Sequence, residues 1–73
     1  MTLDEKLKLL TETIEAEPDE LKPEVELSSL DIWDSLAKLS VLAMFISNFE
    51  REIDVEKVRG FKTVEDILTE MHE

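Results

Sequence analysis

The hydrophobic positions near the start of this chain repeat at the spacing of one helical face. They recur every three or four residues, at Leu3, Leu7, Leu10 and Ile14. Thr2 and Glu5 have the spacing of a capping box, which satisfies free backbone N–H groups at a helix N-terminus. The helix is expected to end near Ala16, because Glu17 precedes Pro18 and a residue before proline is driven out of the helical region.

Between Glu17 and Asp34 the helical periodicity disappears. This segment holds both prolines of the chain and many acidic residues. It also holds apolar side chains, at Leu21, Val25, Leu27, Leu30, Ile32 and Trp33. Loops longer than about 12 to 15 residues are uncommon in compact domains unless they are functional or linkers. The segment is therefore predicted to be a long ordered loop, held to the core by these side chains, with a short turn near Ser28 and Ser29.

A second helix is predicted from Ser35 to about Glu50, where a nearly unbroken apolar run begins. Its expected buried side consists of Leu39, Leu42, Ile46 and Phe49, widened by Val41 and Phe45. A helix that is apolar around most of its circumference is normally surrounded by other helices. We therefore expect this helix at the centre of a small bundle.

The rest of the chain predicts two further helices. Asp54 can cap a short third helix, which Gly60 is expected to end by taking a left-handed conformation. Thr63 and Asp66 form another cap-like pair. The apolar face of the last helix is formed by Val64, Ile67, Leu68 and Met71. The sequence thus predicts an all-α fold in a single domain over residues 1–73, a small four-helix bundle of three main helices and one short helix.

Composition limits how such a bundle is stabilised and where it works. The 73 residues include no cysteine, so disulfides and thiolate metal sites are excluded and helix packing has to hold the fold. Hydrophobic residues make up 42% of the chain, which favours a folded core despite 37% charged residues. No apolar stretch approaches the roughly 20 residues of a membrane span, and the chain lacks the basic start of a secretory signal. We expect a soluble, cytoplasmic protein.

The net charge of −11, from 19 acidic and 8 basic side chains, indicates the kind of partner. Such a charge repels nucleic acids and anionic membranes and speeds encounters with positively charged protein surfaces. It is concentrated in residues 1–34, which hold eleven acids and three bases. We therefore expect enzymes with basic docking surfaces as partners, no nucleic acid, and a monomeric chain.

The candidate chemistry of the chain reduces to Ser35. The chain has no Cys and no Tyr, and His72 is expected near a helix C-terminus, where a cation favours the dipole. The carboxylates lack the spacing of a calcium loop, so no metal site is predicted. Ser35 stands where the apolar helix begins, and a serine in that position is most often an N-cap. On local pattern alone, capping is therefore the simpler interpretation.

A wider pattern around Ser35 resembles the acyl carrier protein family, whose domains bear a phosphopantetheine arm. The resemblance begins with Asp34-Ser35-Leu36. Apolar residues follow in the family's order, at Leu39, Val41, Leu42, Phe45 and Phe49. EIDVEKV, residues 52–58, takes the place of the family's short third helix, and KTVEDIL, residues 62–68, is similar to its entry to the last helix. Because these motifs keep fixed distances over nearly the whole chain, their combination is specific.

The resemblance implies that Ser35 is the attachment point for 4′-phosphopantetheine. A separate phosphopantetheinyl transferase would join the arm of coenzyme A to the serine hydroxyl using magnesium, and Asp34 is expected to present magnesium and a negative contact to that enzyme. The arm's thiol would then hold intermediates as thioesters. The other partners implied are a ligase that loads an acyl or aminoacyl group and the downstream enzymes that use it.

The helix after Ser35 departs from that of the familiar fatty-acid carriers, which have a glycine shortly before Asp-Ser-Leu and several glutamates along this helix. Here Trp33 precedes Asp34, a form that looks more like stand-alone carriers of specialised pathways. The expected partner-binding face is neutral and partly apolar, and it consists of Leu36, Ser40, Ala43 and Ser47. Met44 and Ile46 are expected to be partly exposed. Either partners contact a more apolar surface than usual, or this helix is enclosed more fully.

Three hypotheses of different classes follow. The leading hypothesis is a carrier without catalytic activity, modified on Ser35 and serving fatty acid or secondary metabolite biosynthesis. The alternative is an unmodified, acidic interaction module with the carrier fold, in which Ser35 is only a helix cap. A hydrolase with Ser35 as nucleophile is disfavoured, because the sequence offers no base within plausible reach. Covalent modification of Ser35 separates the first two hypotheses.

Overall fold

The computed structural model describes residues 1–17 and 19–72, which form a small, mostly helical bundle. Its four helices are α1 (Leu3–Thr13), α2 (Ser35–Phe49), α3 (Val55–Gly60) and α4 (Val64–Glu70). α2 packs against α1 and α3, and α1 also packs against α4. Within the described ranges there is no β-strand. None of the helices described is long and apolar enough to cross a bilayer.

Helix α1 begins at the predicted capping box and ends earlier than predicted. Thr2 N–H donates to Glu5 Oε1 at 2.8 Å, and Glu5 N–H donates to Thr2 Oγ1 at 3.2 Å. The helix ends at Thr13 rather than near Ala16, and Glu15 follows with a left-handed φ of 57°. The chain therefore turns before it reaches Pro18, which lies outside the residues that the structure describes.

The core is aliphatic and aromatic and receives side chains from all four helices and from the α1–α2 connection. Its most deeply buried members are Phe45, Leu10, Leu27, Ile67, Met71, Val41, Val58 and Val64. No polar or charged side chain is buried in the part of the chain that the structure covers. Phe45 lies near the middle of α2, and its ring centroid is 5.9 Å from that of Phe49. Apolar packing therefore carries most of the stabilisation, as expected for a chain without cysteine.

The connection between α1 and α2 is tied to the start of α4. Leu27 N–H donates to the Lys62 carbonyl at 2.8 Å, and Val64 N–H donates to the Val25 carbonyl at 3.0 Å. A 3₁₀ turn forms at Leu27–Ser29, where the sequence predicts a short turn. Leu21 and Leu27 are buried, and the remaining apolar side chains of the connection are half-buried against the core. These contacts fix where the chain enters α2.

The buried side of α2 differs from the predicted one. It consists of Ala37, Val41, Met44, Phe45 and Phe49. Leu39, which was expected on this side, is 57% exposed, and Ile46, which was expected at the edge of this side and partly exposed, is 54% exposed. Met44, which was expected to be partly exposed, is only 4% exposed. The physical reason is that α2 has helices on only part of its circumference, so its remaining apolar residues face solvent.

Helix α3 also differs from its prediction at both ends. Asp54 occupies the N-cap position but makes no capping hydrogen bond with its side chain. Gly60 is the last helical residue and does not have a positive φ. The helix ends because Phe61 turns to an extended backbone and buries its ring. A left-handed residue instead ends α2, where Glu50 has a φ of 54°.

The last helix begins as predicted but is short. Thr63 Oγ1 accepts from Asp66 N–H at 3.3 Å, and Asp66 Oδ2 accepts from Thr63 N–H at 3.1 Å, so a capping box is present. α4 has seven residues, one more than α3. The bundle therefore consists of two longer and two short helices, rather than three main helices and one short helix.

Candidate functional site

The N-terminus of α2 separates two roles that the sequence analysis gave to Ser35. Asp34 is the N-cap, because its Oδ1 accepts a hydrogen bond from the Ala37 N–H at 2.9 Å. Ser35 is the first helical residue, and its side chain is exposed. The expectation that Ser35 caps the helix is therefore wrong. Its hydroxyl has no hydrogen-bond partner among residues 1–17 and 19–72, so solvent or a ligand can reach it.

A compact turn before α2 holds this serine in place. Trp33 N–H donates to the Leu30 carbonyl at 3.1 Å, and Asp34 N–H donates to the Ile32 carbonyl at 2.9 Å. Leu30, Ile32 and Trp33 are half-buried against the core, so the turn is anchored by packing as well as by hydrogen bonds. Ser35 therefore presents an exposed hydroxyl on a backbone segment whose position is fixed.

The backbone around Ser35 favours a negatively charged group. The first N–H groups of a helix have no partner within the helix, and the N-terminus carries a partial positive charge. In α2 the Ala37 N–H is satisfied by the Asp34 side chain and the Lys38 N–H by the Asp34 carbonyl. A phosphate bonded to Ser35 would meet the favourable end of the helix dipole.

Two clefts of opposite charge open on the two sides of this N-terminus. The first, which we call the acidic cleft, has a volume of about 370 Å³ and lies between the end of α1 and the start of α2. Its charged lining residues are Glu12, Glu15 and Asp34. The second, which we call the Trp33 groove, has a volume of about 600 Å³. It is lined by Trp33, Lys38, Arg59 and Lys62, with Glu26 as its one acidic side chain.

The predicted partner face of α2 is largely open to solvent. Leu36 is 71% exposed, Ala43 and Ser47 are exposed, and Ser40 is half-buried. Leu39 and Ile46 extend the same side as exposed apolar residues. The idea that α2 is enclosed more fully is therefore wrong. Helical geometry could have placed Leu39 on this exposed side. At 100° per residue, Leu39 lies only about 60° around the helix from Leu36.

The one histidine of the sequence lies at the other end of α2 from Ser35. His72 Nε2 is 3.3 Å from Arg51 Nη1, and Arg51 follows the C-terminus of the helix. A helix of 15 residues is about 22 Å long, so α2 separates the imidazole from the serine hydroxyl by that order of distance. His72 is therefore not placed to act as a base for Ser35.

The ionised cluster of the molecule also lies away from Ser35. Glu70 Oε2 pairs with Lys57 Nζ at 3.1 Å, and Glu70 Oε1 pairs with Arg51 Nη2 at 3.0 Å. The hydrogen bond from Lys57, followed by that from Arg51, lowers the pKa of the Glu70 carboxyl below its ordinary value. The cluster joins the ends of α2 and α4 to α3 and has a structural role.

Comparison with protein-family models, with curated proteins and with solved structures found no match to this chain.

Proposed function

We propose that this protein is a carrier that bears 4′-phosphopantetheine on Ser35 and holds acyl or aminoacyl groups for partner enzymes. The observation that supports the proposal is the exposed, unpaired Ser35 hydroxyl at the first position of α2. The neighbouring Asp34 performs the capping, so the serine is not needed for the helix end. The resemblance of the motifs around Ser35 to the acyl carrier family is a second line of support for the proposal.

Ser35 is the group that reacts when the arm is attached. Its Oγ would form a bond to the phosphorus of coenzyme A that carries the pantetheine, while the bond to adenosine bisphosphate breaks and the hydroxyl proton passes to the transferase. The first backbone N–H groups of α2 would stabilise the phosphodiester that results. The bound arm would supply the thiol for thioester linkage, which a chain without cysteine lacks.

Asp34 would serve this step in two ways. Its Oδ1 holds the start of α2, while its exposed carboxylate provides a negative charge beside the reacting hydroxyl. Carboxylates are common ligands for magnesium, which prefers hard oxygen atoms. We therefore assign Asp34 to the presentation of magnesium to the transferase, and its capping bond keeps the carboxylate in one place.

The partner face of α2 would receive the enzymes that load and use the cargo. Leu36, Leu39 and Ile46 provide exposed apolar contacts along one side of the helix that begins at Ser35. The negative charge elsewhere would attract basic docking surfaces and speed encounter. A carrier has to form short-lived complexes with several enzymes. Apolar contacts next to the attachment point and weak electrostatic attraction are suited to such complexes. This face of α2 suits partners that bind exposed leucine and isoleucine side chains, rather than partners that bind the glutamates found along this helix in fatty-acid carriers.

The second candidate function is an unmodified interaction module. The same exposed apolar face of α2 supports this candidate, since it could bind a partner without any arm on Ser35. The two functions differ in one measurable property, which is covalent modification of the serine.

The test is intact-protein mass spectrometry after incubation with coenzyme A, magnesium and a broad-specificity phosphopantetheinyl transferase. We expect the parent to gain the mass of one phosphopantetheine and the Ser35→Ala variant to gain none. Ser29→Ala is the control and should gain the same mass as the parent, because the Ser29 hydroxyl is exposed but donates to the Glu26 carbonyl at 2.6 Å and is not the proposed attachment point. Absence of any gain in the parent would contradict the carrier function and favour the interaction module.

A further inference from the structure

The Trp33 groove concentrates positive charge in a strongly acidic molecule. Three of the chain's eight basic side chains line it, namely Lys38, Arg59 and Lys62, against the single acidic side chain of Glu26. They come from α2, from α3 and from the segment before α4, so the fold rather than a local run of basic residues brings them together. Like charges repel, and a bound anion would relieve this repulsion.

The cations of the groove are largely available to a ligand. The lysine ammonium groups of Lys38 and Lys62 form no ion pair within the described ranges of the chain. Arg59 pairs with Glu56 at 3.1 Å, but both side chains are mostly exposed, and such surface pairs are weak. A carboxylate that entered the groove would therefore compete with water rather than with a strong internal pair.

The groove also offers an aromatic wall. The Lys38 ammonium lies 5.9 Å from the centre of the Trp33 ring, within cation–π distance. Phe61 and Leu27 also line the groove, but both are almost fully buried, so Trp33 provides most of its apolar surface. The groove thus combines an apolar wall with positive charge, which suits a short hydrocarbon segment that carries an anion.

Two of the residues that line the groove, Trp33 and Lys38, flank Ser35 in the sequence. Lys38 follows Ser35 by three residues, a spacing that makes the two side chains neighbours on the helix surface. Trp33 precedes Ser35 by two residues. On the other side of the α2 N-terminus, the carboxylates of the acidic cleft would repel an anion. These charges would favour the Trp33 groove over the acidic cleft for a negatively charged group tethered to Ser35.

We propose that the Trp33 groove selects the cargo, by holding a carboxylate-bearing acyl group tethered to Ser35 against Lys38, Arg59 and Lys62. This inference rests on the proposed function, since the acyl group reaches the groove from Ser35. It narrows the cargo from any acyl or aminoacyl group to one that ends in an anion. A cargo with a free ammonium group would be repelled by the same three side chains.

The test compares two cargoes that differ only in the terminal group. The protein is loaded on Ser35 from succinyl-coenzyme A or from butyryl-coenzyme A, and loading is verified by mass. The indole N–H resonance of Trp33, the one tryptophan of the sequence, is then recorded for each form and for the unacylated arm. We expect a shift for the succinyl form that the butyryl form and the unacylated arm do not show.

Variants identify the side chains that cause the shift. Lys38→Gln and Lys62→Gln, made singly, are expected to reduce the difference between succinyl and butyryl forms, and the double variant is expected to abolish it. Lys22→Gln is the matched control, because Lys22 is exposed and does not line the groove. A thermal melt of each variant verifies the fold.

The possible results separate the two proposals. Equal indole resonances for succinyl and butyryl forms, with loading complete in both, would overturn the selection of a carboxylate and leave the carrier function in place. A succinyl shift that survives in the double lysine variant would also overturn it. Absence of loading in the mass spectrum would overturn the carrier function and, with it, this inference.

Discussion

At the N-terminus of α2, Asp34 caps the helix and Ser35 carries the exposed hydroxyl. The Asp34 carboxylate satisfies the Ala37 N–H, so the Ser35 hydroxyl is left exposed and without a partner in the described structure. A cap is worth about 0.5–2 kcal/mol, whereas an exposed side chain without contacts contributes little. Substitutions of Asp34 and of Ser35 are therefore expected to have different effects on the stability of the helix.

The first prediction concerns the separate contributions of Asp34 and Ser35 to stability. Ser35→Ala should change the free energy of unfolding by less than about 0.5 kcal/mol, whereas Asp34→Ala should lower it by about 1 kcal/mol. Asp34→Asn keeps a capping oxygen and removes the charge, so it should stay near the parent in stability. Urea unfolding at neutral pH measures all three variants.

The same variants also test the role of the Asp34 charge. Asp34→Asn should slow attachment of the arm while it leaves stability near that of the parent. A Ser35→Ala variant that loses as much stability as Asp34→Ala would show that the serine has a structural role that the hydrogen bonds do not account for.

The second prediction concerns Glu70 and pH. The ion pairs with Lys57 and Arg51 lower the pKa of this carboxyl from its ordinary value of 4.5. Its contribution to stability is therefore complete above about pH 4.5 and is lost as the pH falls through the lowered pKa of the folded state. Glu70→Gln should destabilise the protein near neutral pH and have little effect near pH 2.5.

The measurement is the difference in free energy of unfolding between the parent and Glu70→Gln across this pH range. Glu24→Gln serves as the control, because Glu24 is exposed and forms no ion pair within the described residues. A difference that stayed constant from neutral to acid pH would mean that Glu70 stabilises the fold by packing rather than by charge.

At the scale of the elements, the left-handed helix end that the sequence suggests at Gly60 of α3 is absent, whereas α2 ends in a left-handed residue. Glu50 takes the left-handed conformation with a φ of 54°, although it has a side chain. Gly60 lacks a side chain but does not need a positive φ. A residue other than glycine in the left-handed region costs roughly 1–2 kcal/mol, and a glycine inside a helix costs roughly 0.5–1 kcal/mol relative to alanine.

The third prediction is that two substitutions should both stabilise the protein. Glu50→Gly should raise the free energy of unfolding by up to about 1 kcal/mol, because it removes the left-handed strain. Gly60→Ala should raise it by about 0.4–1 kcal/mol, since a Cβ at this position meets no atom within 4 Å. Thermal and urea unfolding measure both. Destabilisation by Gly60→Ala would instead support the left-handed end that the sequence suggested.

The helices themselves could be predicted because their signals are local. The capping boxes at Thr2 and Thr63 and the apolar repeats lie within a few residues of each other, and the structure confirms both caps. The end of α1 and the buried side of α2 depend on what packs against them. Leu39 and Ile46 are as apolar as Phe49, so composition alone could not show that no neighbouring helix covers them.

The candidate site was predictable only in part for the same reason. The Asp34-Ser35-Leu36 motif is contiguous and visible in the sequence, whereas the Trp33 groove joins Lys38 to Arg59 and Lys62, which are more than twenty residues away. The backbone hydrogen bonds between the α1–α2 connection and residues 62–65 bring these parts together. Such long-range pairing has no local sequence signal.

At the scale of the whole molecule, the folded protein carries a net charge of −11 within a small volume. The Cα radius of gyration is 10.9 Å, close to the Debye length of about 10 Å at 0.1 M ionic strength. Below that ionic strength, carboxylates on different helices repel one another across the molecule. Repulsion of this kind favours the unfolded chain, in which the charges lie farther apart.

The fourth prediction is that sodium chloride stabilises the fold. The free energy of unfolding should rise between about 0.01 M and 0.3 M salt, because screening weakens repulsion between exposed acids. A variant with Glu12→Gln, Glu15→Gln and Glu24→Gln should start more stable and respond less to salt. A fall in stability with salt would mean that attractive pairs such as Arg51–Glu70 outweigh the repulsion.

Modification of Ser35 in the cell is measured by the mass of the Ser35 peptide from protein isolated from its native cell. We expect a peptide spanning Ser35 to carry one phosphopantetheine, and fragmentation to place it on the Ser35 oxygen. An unmodified Ser35 peptide in the native protein, together with no attachment by the broad-specificity transferase, would contradict the account and leave a small acidic module that binds partners through the exposed face of α2.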